Sequence, residues 1–460
     1  MIKRDKAIIV GFNQFGGVIQ LSRLLEHRGY HDIVGLVNKP EIIDVGDAPS
    51  CLRLVRVDTP LNPTVLRRVA SDYGAAEPNT PFLCAQDRAM LPYVKAWREL
   101  RSSAGETLHV PCDGITRARV KPLARELWNL SGVDATEWTV ATGQDWTVDR
   151  LSGGGTLLQF ARDREYVVKP VAGMASEAVK VCLGSDIEQC VAEVRAFLSV
   201  QPVSSESGPE GTVVTDTING IRRKYSLFTD VLIEEKLPGN EYTVDGYVVG
   251  GSVCVAVQQK EYRIIKPFFG DGLIVSPPST DELQADVESP SVAHAGTCHT
   301  RPGAFEALLE RGLAALGLDN WVFHAEIMET PNNELRFVEL NPRPAGGLLW
   351  LTAGVHVGQD PYEIMLKMHL RHDVLTKRSG WVTGQFPVYA KRAGKISHVK
   401  GIEEARNISG VIKVVQVARK GDEIVSLEKE NYLAFVSIYA ATHDDVRRIA
   451  REVADVIDIE

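Results

Sequence analysis

The apolar positions change period along the chain. Residues 7–10 (Ala-Ile-Ile-Val) form a short continuous apolar run. Gly16-Gly17 then opens a stretch with Val18, Leu21, Leu24 and Leu25 on one helical face, and a second apolar run fills 32–37. Strand, helix and strand in that order predict an open parallel sheet of βαβ type. From about residue 115 the texture differs. Residues 119–131 read as one helix ending at Gly132, followed by short strands and turns up to about 275. Residues 305–316 predict an amphipathic helix closed by Gly317. Strands at 321–329 and 334–340 follow, joined by the turn sequence Thr330-Pro331-Asn332-Asn333. A helix at 361–370 precedes a last region of strands (381–388, 411–417, 433–440) and a helix at 444–456. The fold class is mixed α/β and α+β. The expected division is an N-terminal βαβ domain (1–114), a central domain (115–375) and a small C-terminal α+β domain (376–460).

Composition narrows the function classes. A net charge of −9, with both signs spread along the chain, argues against a nucleic-acid footprint. No apolar run reaches the ~18 residues of a membrane helix. The apolar stretch behind the basic N-terminus is a strand length, not a signal-peptide core. Seven cysteines without a CxxC pair read as idle thiols in a reducing cytoplasm, the expected location. The first glycine-rich turn, Gly11-Phe12-Asn13-Gln14-Phe15-Gly16-Gly17, misses GxGxxG because Asn13 stands at the second glycine, so a dinucleotide site is not expected there.

Three segments carry chemistry. In 324–343, strand alternation puts Glu326 on the face of His324 and Met328, and Glu339 on the face of Phe337 and Asn341. Paired antiparallel, Glu326 and Glu339 lie side by side with Asn341 beyond, a hard-oxygen set suited to Mg²⁺. The other reading leaves one acid exposed and pairs the second with Arg343. In 166–176, Lys169 ends an apolar strand and a loop of small residues follows, where backbone N–H groups can approach phosphate; an edge-strand lysine beside an ordinary turn is the alternative. In 231–241, an apolar strand runs into Glu234-Glu235-Lys236-Leu237 and the turn Pro238-Gly239 before Glu241. Such a segment can offer backbone groups to an adenine edge, or be a plain strand end.

In this order and spacing the three segments resemble the ATP-grasp superfamily, over about 115–375. The flanking domains sit where that family places them. Within it the chain looks most like the L-amino acid (dipeptide) ligases, and 339–347 (Glu-Leu-Asn-Pro-Arg-Pro-Ala-Gly-Gly) resembles their metal-and-phosphate signature. The resemblance implies an ATP-dependent carboxylate–amine ligase that forms an amide through an acyl phosphate, with a mobile lid at about 165–235. It implies ATP and Mg²⁺ as cofactors, two ions with Mn²⁺ as a substitute, and small-molecule carboxylate and amine partners. It involves no nucleic acid or membrane and leaves a homodimer open. Lys121 and Lys169 match the two ATP lysines, with Gly173 and Ser176 in the phosphate loop. Glu234, Glu235 and Leu237 match the adenine contacts and Glu241 the ribose contact. Glu326, Glu339 and Asn341 match the metal ligands, and Arg343 the arginine of the acyl phosphate. His294, His299, Arg301, Lys260 and Arg263 are substrate contacts or ordinary loop residues. Other readings are an ATP-grasp carboxylase using bicarbonate and a non-catalytic nucleotide-binding module.

Overall fold

The computed structural model describes residues 6–11, 17–38, 48–57, 62–77, 79–103, 109–143, 146–147, 155–156, 159–173, 177–199, 213–264, 270–278, 292–294, 303–374, 379–425, 427 and 431–460. Its first unit is a four-stranded parallel sheet in the order Leu52–Arg56, Asp32–Val37, Lys6–Val10, Phe82–Cys84. Strands Asp32–Val37, Lys6–Val10 and Phe82–Cys84 are buried, as a sheet covered on both faces requires, and the edge strand Leu52–Arg56 is partly exposed. Helices Val18–His27, Pro63–Asp72 and Asp87–Ser103 accompany it. The second of these starts where Asn62 accepts bonds from Thr64 N and Val65 N, with Pro63 at the first helical position.

A second, antiparallel sheet of four strands follows, in the order Trp138–Ala141, Val231–Glu235, Glu165–Pro170, Lys180–Leu183. Helix Ile187–Ser199 packs on one face of it through Ile187, Val191, Val194 and Leu198. The strand-and-turn reading of this region is corrected by that helix. The helix expected over 119–131 is also two helices, Cys112–Arg119 and Lys121–Leu130. Val120 is extended between them, and Pro122, in the first turn of the second helix, has no N–H for a bond back to Ala118, where its ring would also clash. The break frees Lys121 N to donate to Val171 O of the second sheet at 2.9 Å.

The third unit is an eight-stranded antiparallel sheet: Leu335–Asn341, Trp321–Glu329, Asn240–Val249, Ser252–Lys260, Ile274–Ser276, Val382–Tyr389, Tyr432–Ala440, Val411–Gln416. The C-terminal strands therefore extend the sheet that begins with the 321–341 hairpin. They keep a core of their own under helix His443–Val456, whose Thr442 caps Asp445 N. The linker 236–239 joins the second and third sheets. It turns at Gly239, where φ is 125° and a Cβ would collide with the carbonyl of Glu329.

The hairpin register is Glu326 opposite Glu339 and His324 opposite Asn341, as the alternation predicts. One expectation fails. A bulge sets Ile327 opposite Phe337, so Phe337 shares the face of Leu340 and Ile327, not that of Glu339. The extra residue turns the Phe337 ring into the core, stacked on Trp128 at 4.2 Å between centroids. The acids are left on the opposite, polar face.

Candidate active site

The polar face of the hairpin, the second sheet and the start of helix Asp87–Ser103 meet at one place. Glu339 accepts from Asn341 Nδ2 at 2.6 Å and lies 3.3 Å from Lys121 Nζ. Burial works to raise the Glu339 pKa. The charges of Lys121 and Lys169, the Asn341 bond and Arg119 outweigh it and hold the carboxyl well below the usual range. Glu326, directly opposite, shows the reverse. Burial, Glu339 and Glu241 outweigh Lys260 and push its pKa up to about 6. Its side chain is 26 % exposed, and His324 Nε2 lies 3.9 Å away. Two adjacent acids, one of them undercompensated, are a fit for a bound cation. Among the described residues no three His, Cys, Asp or Glu side chains converge as a metal cage. The set here is two carboxylates and one amide, which leaves coordination positions to water and phosphate oxygens, as Mg²⁺ prefers.

Cations face these acids. Lys121 Nζ donates to Gly173 O at 3.4 Å, and burial pulls the Lys121 pKa down against the attraction of Glu339. Lys169 is buried on strand Glu165–Pro170 and ion-pairs with Glu234. Glu234 also accepts from Arg125 Nε at 2.9 Å, so its carboxylate is held between two cations. In this linker Glu235 N donates to Glu137 O at 3.0 Å and Lys236 N to Glu165 O at 3.3 Å, so an adenine edge would meet carbonyl oxygens and Leu237. The Glu235 side chain accepts from Glu137 N at 2.9 Å and pairs with Arg164. Glu241 lies on the same sheet face as Glu326, one strand further, and accepts from Lys260 Nζ at 2.5 Å.

Arg343 is anchored from another part of the chain. Its Nε donates to Asp87 Oδ2 at 2.7 Å and its Nη1 to Pro344 O at 2.8 Å. Asp87 also lies 3.1 Å from Arg119 Nη1. Burial works against the Asp87 charge, but Arg119 and Arg343 hold its pKa below the usual range. Arg119 in turn bonds Asn341 Oδ1 and, at 3.3 Å, Gly173 O. It thereby touches the 321–341 hairpin, the turn at Gly173 and helix Asp87–Ser103 at once. Two further buried sets support the site. Asp245 accepts from Gln258 Nε2 at 2.6 Å and sits 3.2 Å from His324 Nδ1. Asp134 takes Phe337 N at 2.7 Å and lies 3.5 Å from Arg125.

The structure thus brings Lys121, Lys169, Gly173, Glu234, Glu326, Glu339, Asn341 and Arg343 into one network, with Glu241 and Lys260 on the adjoining strands. Ser176, His299 and Arg301 lie outside the described residues. Arg263 and His294 fall on short strands that pair with each other, and their side chains are likewise outside the description. Sequence reasoning missed Arg119, Asp87 and Arg125. Arg119 had a signal, since it stands two residues before Lys121 in the alternation Arg117, Arg119, Lys121. Asp87 had none, because its contact with Arg343 spans 256 positions.

Comparison with known proteins agrees with this arrangement. The ATP-grasp domain family matches residues 163–351, and the family of L-amino acid ligase C-terminal domain 2 matches 387–460. A search of curated proteins by sequence finds no match. Among solved structures, the L-amino acid ligase from Bacillus licheniformis aligns at 16% identity over 100% of this chain and 99% of its own, with a TM-score of 0.75. Phosphoribosylglycinamide synthetase from Anaerococcus prevotii aligns at 12% identity over 99% of both chains, TM-score 0.62. The biotin carboxylase domain of Hydrogenobacter thermophilus 2-oxoglutarate carboxylase, solved with MgADP and bicarbonate, aligns at 12% identity over 99% of this chain and 90% of its own, TM-score 0.63. At these identities the structural likeness establishes the fold. The family matches add an ATP-grasp domain at 163–351 and a C-terminal domain of the L-amino acid ligase type at 387–460, the make-up of an ATP-dependent ligase.

Proposed function

We propose that the protein joins a carboxylate to an amine through an acyl phosphate, releasing ADP and phosphate. The observation that carries the reading is the opposition of Lys121, Lys169, Arg119 and Arg343 to the hairpin acids Glu326 and Glu339. ATP brings about four negative charges, and a site that transfers its terminal phosphoryl group needs cations on several sides of it. The C-terminal domain match favours an amine over other acceptors.

In this reading Lys169 and Lys121 hold the phosphates, and the loop from Gly173 covers them. The backbone of 235–237 takes the adenine edge, and Glu241 faces the ribose. Glu326, Glu339 and Asn341 would hold Mg²⁺, two ions being the expected number, which would supply positive charge against the phosphates. Arg343, fixed by Asp87, stabilises charge on the oxygen of the reacting carboxyl, both as the phosphate is transferred and as the amine attacks. Residues 165–235 would move as a lid to exclude water from the acyl phosphate.

The test is an isotope experiment. With ¹⁸O in the carboxylate, an acyl phosphate delivers one label to inorganic phosphate, alongside ADP. Release of pyrophosphate with label in AMP would end the reading.

A further inference from the structure

A cavity of about 420 Å³ lies between helix Asp87–Ser103, the end of helix Ile187–Ser199 and strand Val213–Ile218, which pairs with Ile221–Ser226. Its size is within the usual range for small-molecule sites, roughly 300–1,000 Å³. Leu91, Leu198, Val214, Leu227 and Phe228 form apolar walls, whereas Asp87, Arg119 and Gly173 form one polar end. That end belongs to the network described above. The charges there do not balance, because Arg119 and Arg343 share the single carboxylate of Asp87. Arg119 is 4 % exposed, and its Nε has no hydrogen-bond partner among the described residues. A buried donor without a partner is costly, and an incoming anion relieves both deficits together.

We infer that this cavity takes the apolar portion of the carboxylate substrate, which is therefore an acid or amino acid with a bulky hydrocarbon or aromatic group. This rests on the acyl-phosphate reading above. The carboxylate end meets the Arg119–Arg343 pair beside the phosphate loop, and the apolar group lies along Leu91 and Val214. The Arg88–Glu177 ion pair, which joins the N-terminal helix to the far end of the phosphate loop, stands at the rim of the same cavity. A substrate seated there is enclosed by the elements that bring the phosphate loop to the helix.

Hydroxylamine traps acyl phosphates as hydroxamates, so it reads the carboxylate side alone. The probes are L-phenylalanine, 3-phenylpropanoate and glycine, with MgATP and the full chain. Wild type should form the aromatic hydroxamates with a higher kcat/KM than glycine hydroxamate. Leu91→Trp and Val214→Trp fill the cavity from two different elements, the helix and the strand, and each should lower the ratio of aromatic to glycine kcat/KM by at least about tenfold. Should the tryptophans lower the thermal midpoint, Leu91→Ala supplies the reverse test by shifting preference toward still larger groups. Hydroxamates whose ratio none of these variants moves overturn the inference and leave the acyl-phosphate reading intact. If no carboxylate yields hydroxamate, the acyl-phosphate reading fails, and calorimetry with 3-phenylpropanoate judges the cavity alone. Binding lost in both tryptophan variants retains it as a site, and binding that is absent or unchanged overturns it.

Discussion

Two buried charge networks lie side by side in this protein, and they differ in their arithmetic. Around Arg125 the charges close: Arg125, Lys169 and Arg336 face Glu234, Asp134 and Glu334, and Arg125 spends its remaining donors on Phe337 O at 2.7 Å and Val338 O at 3.2 Å. Around Arg343 they do not. Two guanidinium groups share Asp87, while across the site Glu326 is left undercompensated beside Glu339. A balanced buried network stabilises its own geometry; an unbalanced one stores a deficit that a ligand removes. The first network holds the second sheet to the 321–341 hairpin; under the proposed function the second takes phosphate, cation and carboxylate.

That contrast breaks if the unbalanced side turns out to be dispensable. Glu326→Gln keeps shape and removes one charge, so turnover should fall by at least about a hundredfold, roughly 3 kcal/mol of transition-state stabilisation. The fold should not suffer, because the cations beside Glu326 keep other carboxylates, Lys260 that of Glu241 and His324 that of Asp245. Measured together, ADP release and thermal midpoint decide it. Near-normal ADP release at ordinary Mg²⁺ concentration would falsify the assignment of the hairpin as a metal site.

The balanced side should respond in the opposite way. Arg125→Met removes a buried cation from Glu234 and Asp134 and leaves two carbonyl oxygens without their donor, a loss of about 3–5 kcal/mol in stability. Denaturant unfolding reads this directly. A variant as stable as wild type would show that the network is not structural.

How much of this contrast was legible beforehand depends on the range of the interaction. The Glu326–Glu339 pairing follows from period-2 alternation and a turn sequence, both local, and the register bears it out. The Phe337 bulge left no local mark, since one extra residue in a strand changes nothing in composition but inverts a face. Residues 187, 191, 194 and 198 carry a helical spacing that a strand-and-turn reading of the region overlooks. The Asp87 contact with Arg119 and Arg343 was out of reach, because it depends on how the N-terminal sheet sits against the hairpin. The charge balance, and with it the difference between the two networks, exists only after those pieces are assembled.

Lys169 stands on the border between the networks and sharpens the distinction. It pairs with Glu234 in the balanced set and adds to the field that lowers the Glu339 pKa in the other. Lys169→Ala should weaken ATP binding by on the order of 2 kcal/mol, through loss of a charge-assisted phosphate contact. Arg125 keeps Glu234 paired, so stability should fall by less than in Arg125→Met. Calorimetric ATP affinity unchanged by the substitution would confine Lys169 to the structural network.

The smallest effect comes from buried groups that surrender their charge. His109 and His369 stack edge to face at 5.2 Å between the N-terminal helix Asp87–Ser103 and helix Pro361–His369. Burial, then Arg371 and Arg101, pushes the His109 pKa down to about 4; burial, then His109 and the same arginines, carries His369 well below its usual value. Both imidazoles are therefore neutral in the folded protein near neutral pH. As pH falls below about 6.5, the unfolded chain takes up protons that the folded chain refuses, so stability declines with pH on the acid side. The contribution is fully present above the unfolded pKa and is lost as pH falls toward the folded one. His369→Phe removes one such proton and should flatten the decline between about pH 4.5 and 6 by up to ~1.4 kcal/mol per pH unit. Urea unfolding at a series of pH values measures that slope. An unaltered slope would mean that His369 is protonated in the fold, and that a cation unmatched by any acid is tolerated there without a ligand, against the rule drawn from the Arg343 network.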